Sequence, residues 1–339
     1  MKSGFHISLM GWNKFLRDQE EEYNIYVPVK KDVAIDYDLI NNCSLPSIIY
    51  NTPKPVTPLK LFFLPVKENV TLESTGSVRK NVIVGTPACD LAALGILDEM
   101  YLTPPFIDSY YKMRRDNTIL IGTDCYDLLE HCHCTTYGIK PYPTQNHDIS
   151  LSVIDERAYI HINTDKGEAF LEGVNKVDEP VGLNEEDVEL IHSKRQHTRD
   201  RLDKKNVQLP GYKETGELIK DSDDAIWEKY AKACVSCGAC TAICPTCTCF
   251  LMIDRPGFEK IRQLDACQYP GFARIAAGED HLKDLTDRFK NRYLCKYVWK
   301  AEKFDSIACT GCGRCIETCI GGIDKNELFM ELASIVEAE

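Results

Sequence analysis

The chain has 339 residues, 44% of them hydrophobic and 27% charged, with a net charge of −12. That length supports two or three domains with ordinary cores, and the acidic balance argues against nucleic acid or an anionic membrane surface as the main partner. The opening "MKSGFHISLMGWNKFLRDQE" has no sustained apolar stretch or small-residue cleavage site, and no run approaches ~20 apolar residues, so neither signal peptide nor membrane span is expected and the expected location is cytoplasmic.

Trp12, Phe15 and Leu16 mark an amphipathic opening that predicts a helix, and "YNIYVPV" predicts a strand after it. "PLKLFFLPV" reads as another buried strand. "NVIVGTPACDLAALGILDEM" and "TILIGTDCYDLLEHCHC" each carry a β-branched apolar run, a glycine and a cysteine close to the strand end. The first then turns helical through Leu91, Leu94, Ile96 and Leu97. This repetition predicts an α/β layer with Cys89 and Cys125 on neighbouring strand-end loops, where open α/β sheets usually carry function. "DISLSVIDERAYIHI" predicts a hairpin and "DKGEAFLEG" a helix. Residues 178–225 are charged and poor in large apolar residues. Their basic run "HSKRQHTRDRLDKK" sits among Asp and Glu without interleaved aromatics, so it reads as a solvated helix and connector. From Trp227 the chain becomes cysteine-rich. The expected fold class is α+β or α/β. It comprises a mixed α/β domain over 1–177, a charged helical connector over 178–225, and a ferredoxin-like dicluster domain over 226–339 with a long insertion at 250–308.

Seventeen cysteines in a chain of this size point to bound metal rather than a disulfide scaffold, which belongs to short secreted chains. Cys234, Cys237, Cys240 and Cys244-Pro245 form C-x2-C-x2-C-x3-C-P. Cys309, Cys312, Cys315 and Cys319 repeat the spacing, with Ile320 in place of the proline. Three thiolates two residues apart can wrap three corners of a cubane while small residues such as Gly238, Gly311 and Gly313 let backbone amides approach its sulfides. In two-cluster ferredoxins the fourth cysteine of each run binds the other cluster. The expected 4Fe4S ligand sets are therefore Cys234, Cys237, Cys240 with Cys319, and Cys309, Cys312, Cys315 with Cys244. Zinc knuckles use cysteines in twos, and here they come as three plus one, twice.

Nine cysteines remain. Cys43 stands alone and reads as a structural or surface thiol. Cys89, Cys125, Cys132 and Cys134 converge from separate segments and suit a third cluster; buried free thiols are the alternative. His131 and His133 beside them are left without a role. Cys247, Cys249, Cys267 and Cys295 fall between the two runs and form a candidate fourth set, with packing around the first two clusters as the alternative. No G-x-G-x-x-G follows a predicted strand, so no FAD or NAD(P)H is expected in this chain.

"YNIYVPV", "GTPACDLAALGILDEMY", "YYKMRRDNTILIGTDCYDLLEHCHCTTYG", "CVSCGACTAICPTCTCF", "DACQYPGFARIAAGEDH", "RFKNRYLCKYVW" and "CTGCGRCIETC" together resemble the iron-sulfur subunit of anaerobic sulfite reductase and the related beta subunit of soluble sulfhydrogenases. The resemblance runs from about Tyr23 to Cys319. It implies an iron-sulfur electron-transfer subunit standing between two partners. One is an FAD- and NAD(P)H-binding reductase subunit, and the other is a catalytic redox subunit, either a sirohaem sulfite reductase or a hydrogenase. Sulfite reduction is the leading expectation and the hydrogen-linked role the alternative. Members of the family often have Cys-Phe-Cys where this chain has Cys132-His133-Cys134, and often histidine at Cys295; the second departure favours Cys295 as a ligand. Two other readings stand beside the relay: an N-terminal cluster with an open iron that reduces substrate itself, and a zinc-stabilised assembly subunit.

Overall fold

The computed structural model describes residues 4–51, 54–71 and 79–338, without the last side chains of the C-terminal helix. Its N-terminal region is built on an eight-stranded mixed sheet in the order β3-β2-β5-β6-β7-β8-β1-β9. The strands are β1 (Gly4–Ser8), β2 (Asn24–Lys31), β3 (Ala34–Leu39), β5 (Asn81–Pro87), β6 (Thr118–Thr123), β7 (Ile149–Ile154), β8 (Arg157–Ile162) and β9 (Val181–Gly182). The centre, β2-β5-β6-β7, is parallel, and antiparallel strands finish both sides.

Alternation along the central strands explains the layers, because successive side chains point to opposite faces. Val82, Val84, Ile119 and Ile121 pack with Trp12, Phe15 and Leu16 of helix Leu9–Asp18. Ile83 and Leu120 between them face Leu91, Leu94 and Leu97 of helix Ala88–Leu102. Both faces are covered, so these strands read as continuous apolar runs.

The predicted opening helix, the "YNIYVPV" strand, the 149–162 hairpin and helix Asp165–Phe170 are all present. "PLKLFFLPV" is corrected. Its apolar run forms a helical turn, Lys60–Phe63, that buries Leu59 and Phe63 on one side, and only Lys67–Asn69 beyond it is a strand, β4. A short apolar run fits either element, and Phe63 four residues after Leu59 is the helical spacing. Cys125 follows β6 in a loop, as expected, but Cys89 sits in the first turn of helix Ala88–Leu102 rather than in a loop. β5 feeds that helix directly from Pro87, whose extended backbone precedes the first helical residue.

The 178–225 segment holds helices Glu185–Lys205 and Tyr212–Asp221. The first is solvated on most of its surface, yet it is pinned to the sheet: Arg195 makes a two-toothed ion pair with the fully buried Asp124, at 2.9 and 3.0 Å. The second is no connector, because Tyr212 and Ile219 join the core of the cysteine-rich region with Trp227, Phe289, Tyr293 and Phe329.

The insertion between the cysteine runs contributes a hairpin, β10 (Phe250–Arg255) and β11 (Glu259–Leu264), and helix Leu285–Leu294. β11 pairs with β4, which ties the insertion to the N-terminal region. After Leu294 the helix widens into a π turn over Cys295–Trp299. Such turns leave carbonyls without their usual helical partner, and here the Tyr212 hydroxyl donates to the Lys296 carbonyl.

Candidate iron-sulfur sites

The two cysteine runs fold alike. In each, a glycine in the left-handed region, Gly238 at φ 71° and Gly313 at φ 77°, opens a one-turn helix, Ala239–Ala242 or Arg314–Glu317. The third cysteine of each run lies in that helix, and the fourth lies just beyond it. A non-glycine residue is disfavoured at both positions. At Gly313 a Cβ would also stand 2.6 Å from the His131 carbonyl oxygen, so the N-terminal cysteine loop lies directly on the second run.

Three cavities are walled by cysteine. Cys234, Cys237, Cys240 and Cys319 surround the outer one. Cys244, Cys309, Cys312 and Cys315 surround the central one. Cys89, Cys125, Cys132 and Cys134 surround the third, in the N-terminal region. Cys319 lines the outer cavity with the first run, and Cys244 lines the central cavity with the second. Cys315 borders both outer and central cavities, and Cys312 both central and N-terminal ones.

The remaining set is brought together less completely. Cys249 and Cys267 meet through their thiols, with Cys295 beside Cys249. The Cys247 thiol instead hydrogen-bonds to Cys244, on the side of the central cavity. Cys43 donates to the Leu39 carbonyl at 3.1 Å and lines none of the three cysteine cavities.

Among the described residues, no three His, Cys, Asp or Glu side chains converge on a point where one metal ion would sit. Four or five cysteines line each cavity instead. A cubane presents four separate iron corners, so this donor arrangement fits a 4Fe4S cluster better than a single zinc, whose ligands close on one point. The electrostatics agree. Burial pushes the thiols of Cys89 and Cys125 well up, and that of Cys134 up to about 12; thiolate at those positions requires a positive partner such as iron. Cys244 is held well down, first by the Cys247 thiol and then, against burial, by the Lys296 ammonium.

Several polar residues that shape the sites carry no sequence motif. Lys296 places its ammonium 3.0 Å from the Cys244 sulfur. Arg314, inside the second run, forms a buried two-toothed ion pair with Asp90, the neighbour of Cys89, at 2.5 and 2.8 Å. Lys54 joins Glu317 at 2.7 Å beside the N-terminal cavity. His133 is fully buried and its imidazole is held neutral, by burial first and then by Lys325. It accepts from the Lys325 ammonium through Nε2 at 2.8 Å, so Nδ1 carries the hydrogen and donates to the His131 carbonyl at 2.7 Å. His131 lies 3.4 Å from Asp324. Neither histidine borders the N-terminal cavity. The signal for most of these residues is tertiary, because their partners lie far away in the chain.

Residues 233–323 match the family model of the 4Fe-4S dicluster domain. The chain is thus an iron-sulfur protein with a C-terminal dicluster domain behind a mixed α/β region. Along nearly its whole length it is similar to the Sulfhydrogenase 2 subunit beta of Pyrococcus furiosus, 28% identical over 330 residues that cover 94% of this chain and 95% of the relative. Both findings agree with the family its motifs resemble. Among the described residues no helix is long and apolar enough to cross a membrane.

Proposed function

We propose that the chain is the iron-sulfur electron-transfer subunit of a sulfhydrogenase-like complex. It relays single electrons from an FAD- and NAD(P)H-binding reductase subunit to a catalytic redox subunit, in the cytoplasm, where cysteines stay reduced. Cys234, Cys237, Cys240 and Cys319 hold one 4Fe4S cluster, and Cys309, Cys312, Cys315 and Cys244 the second. Cys89, Cys125, Cys132 and Cys134 hold a third. Cys249, Cys267 and Cys295 hold a fourth once the Cys247 thiol swings away from Cys244 to complete the set. Each cluster supplies a one-electron couple; the protein supplies order, burial and charge.

One observation carries this reading: neighbouring cavities share wall cysteines, Cys312 and Cys315, which sets three sites in a row. Electron transfer between sites weakens steeply with separation, and a common wall residue keeps the separation near its minimum. At the outer end, Cys237 is the exposed thiol, which gives electrons a place to leave for a partner. A catalytic N-terminal iron would need an open coordination position, and four cysteines around that cavity favour a closed site instead. The sulfhydrogenase relative favours a hydrogenase-type catalytic partner; a sirohaem sulfite reductase is the alternative partner.

The test is iron and acid-labile sulfide per chain after anaerobic purification, with native mass spectrometry. Three and four cubanes give about twelve and sixteen irons, and about eight in a fully loaded chain refutes the third and fourth sites. Isolation of the native complex identifies the catalytic partner. Sulfite turnover by the lone chain with an artificial reductant overturns the relay-only role.

A further inference from the structure

Seven lysine and arginine side chains near the cysteine sites or at the contact between the two regions are almost wholly buried, and they divide by how their charge is met. Lys54, Arg262 and Arg314 have carboxylate partners. Lys60, Arg292, Lys296 and Lys325 are 2%, 4%, 4% and 3% exposed, and none has a carboxylate partner among the described residues. Lys296 reaches the Cys244 sulfur at 3.0 Å, the Thr246 hydroxyl at 2.8 Å and the Ala308 carbonyl at 3.1 Å. Lys325 reaches His133, Asn326 and the Tyr297 hydroxyl and borders both outer and central cavities. Lys60 donates to the Thr241 and Cys247 carbonyls at 3.1 and 3.0 Å. Arg292 also borders both cavities, and its Nε has no hydrogen-bond partner among the described residues. Arg288 likewise has no carboxylate partner among the described residues, but three backbone carbonyls ring its guanidinium and it lines none of the three cavities.

A buried charge without a counter-charge is among the costliest features a fold can carry. Three of them border one pair of cavities and Lys60 stands behind the central one, against the Cys247 carbonyl; together they imply that negative charge belongs inside. The contrast with the N-terminal cavity is specific. Its neighbouring cations, Lys54 and Arg314, are neutralised by Glu317 and Asp90.

We propose that Lys60, Arg292, Lys296 and Lys325 form a cage of uncompensated positive charge that sets the dicluster sites at a higher reduction potential than the N-terminal site, so that electrons run from the N-terminal site inward. The proposal rests on the relay reading. Reduction adds one negative charge to a site, and potentials of such sites follow net charge, hydrogen bonds to sulfur and burial. Lys296 acts most directly, since its bond to the Cys244 sulfur is charge-assisted and strengthens as that sulfur becomes more negative. In the inward step the N-terminal site is oxidised by one electron and the central site reduced by one. The flavin partner supplies the electron, and no proton moves with it within the chain. The cage has a second consequence: in the iron-free chain its cations lack most of their counter-charge and repel one another.

The experiment is a potentiometric titration of the full iron-loaded chain, followed by electron paramagnetic resonance, for wild type, K296M, K296R and E317Q. Wild type should reduce its dicluster signals before the N-terminal signal. K296M should lower the midpoint of one dicluster signal by about tenfold in the reduced-to-oxidised ratio, ~59 mV for a one-electron couple, while K296R stays near wild type. E317Q, which frees Lys54, should raise the N-terminal midpoint alone. Fully loaded K296M with unmoved midpoints overturns the proposal, as does an N-terminal site that reduces first. Should K296M fail to load, the iron-free chains decide: K296M must resist denaturant better than iron-free wild type, because it lacks one unmatched cation. The reverse order overturns the cage. A wild-type chain that takes up no iron refutes the relay reading instead, so the two failures are distinct.

Discussion

The N-terminal and dicluster cavities gather their cysteines in opposite ways. The dicluster cavities draw three candidate ligands each from a stretch of seven residues, shaped by left-handed glycines and a one-turn helix. The N-terminal site collects Cys89 from a helix start, Cys125 from the end of β6, and Cys132 and Cys134 from a loop. It therefore depends on the register of β5 and β6, which pair in parallel. Their supports differ in kind too. The N-terminal site rests on a large sheet with apolar layers on both faces, whereas the dicluster sites are ringed by buried charge. The lesson is that a local motif can be held in place by its own ligands, while a dispersed site needs the fold first.

Iron removal should separate the two most sharply. Chelation under reducing conditions is expected to destabilise the cysteine-rich region far more than the sheet, because its buried cations lose their counter-charge and its thiolates lose their metal. The sheet should survive on its own core. Hydrogen exchange reads this directly: amides of 82–84 and 119–121 stay protected while those of 226–231 and 328–332 exchange. Equal loss of protection in both regions would show that the sheet, too, depends on bound iron.

The next effect tests the joint between them. Asp90 and Arg314 are 0% and 2% exposed at their side chains, and Arg314 also donates to the Pro55 carbonyl at 3.0 and 2.8 Å. Asp90→Ala strands the guanidinium and should cost about 3–5 kcal/mol in denaturant unfolding. Asp90→Ala with Arg314→Met should recover part of that loss, since the stranded charge has gone. Additive losses in the double variant would show that the pair is not a unit.

Gly311→Ala is expected to cost less, about 1–3 kcal/mol, but to act selectively. Gly311 has φ 64°, and a Cβ there would stand 2.6 Å from the His133 carbonyl. Because His133 N–H donates to the Gly311 carbonyl at 2.9 Å, the substitution pushes away the loop that carries Cys132 and Cys134. Iron content should fall by about four, one cubane, with the N-terminal signal lost and the dicluster signals kept. Loss of all signals would place Gly311 in general folding instead.

What the sequence made legible follows from the same distinction. The cysteine runs announce themselves by spacing, and the habit of two-cluster ferredoxins predicts which opposite run Cys244 and Cys319 stand beside. The central strands were legible because β-branched runs ended at glycine. "PLKLFFLPV" misled because four apolar residues fit either period, and Phe63 against Tyr111 and Leu59 decides for a turn of helix. Helix Glu185–Lys205 looked like a free connector because its anchoring charge, Arg195, is one basic residue among many; only the buried Asp124 across the chain singles it out. The cage was invisible for the same reason: Lys60, Arg292, Lys296 and Lys325 come from separate segments, and lysines ordinarily read as surface.

The smallest expected effect completes the contrast within the N-terminal region itself. Cys43 and Cys89 are both half-buried thiols there, but Cys43 has a carbonyl for a partner whereas Cys89 faces a cavity with three other cysteines. Serine at 43 keeps a donor for the Leu39 carbonyl and loses only a little polarizable contact, so Cys43→Ser should shift stability by no more than about 0.5 kcal/mol and leave iron unchanged. Cys89→Ser should remove one cubane's iron from a chain whose sheet stays folded. If both variants lose iron equally, sulfur anywhere in this region governs loading and the cavity loses its claim as a site; if neither does, the third site is wrong while the dicluster sites stand.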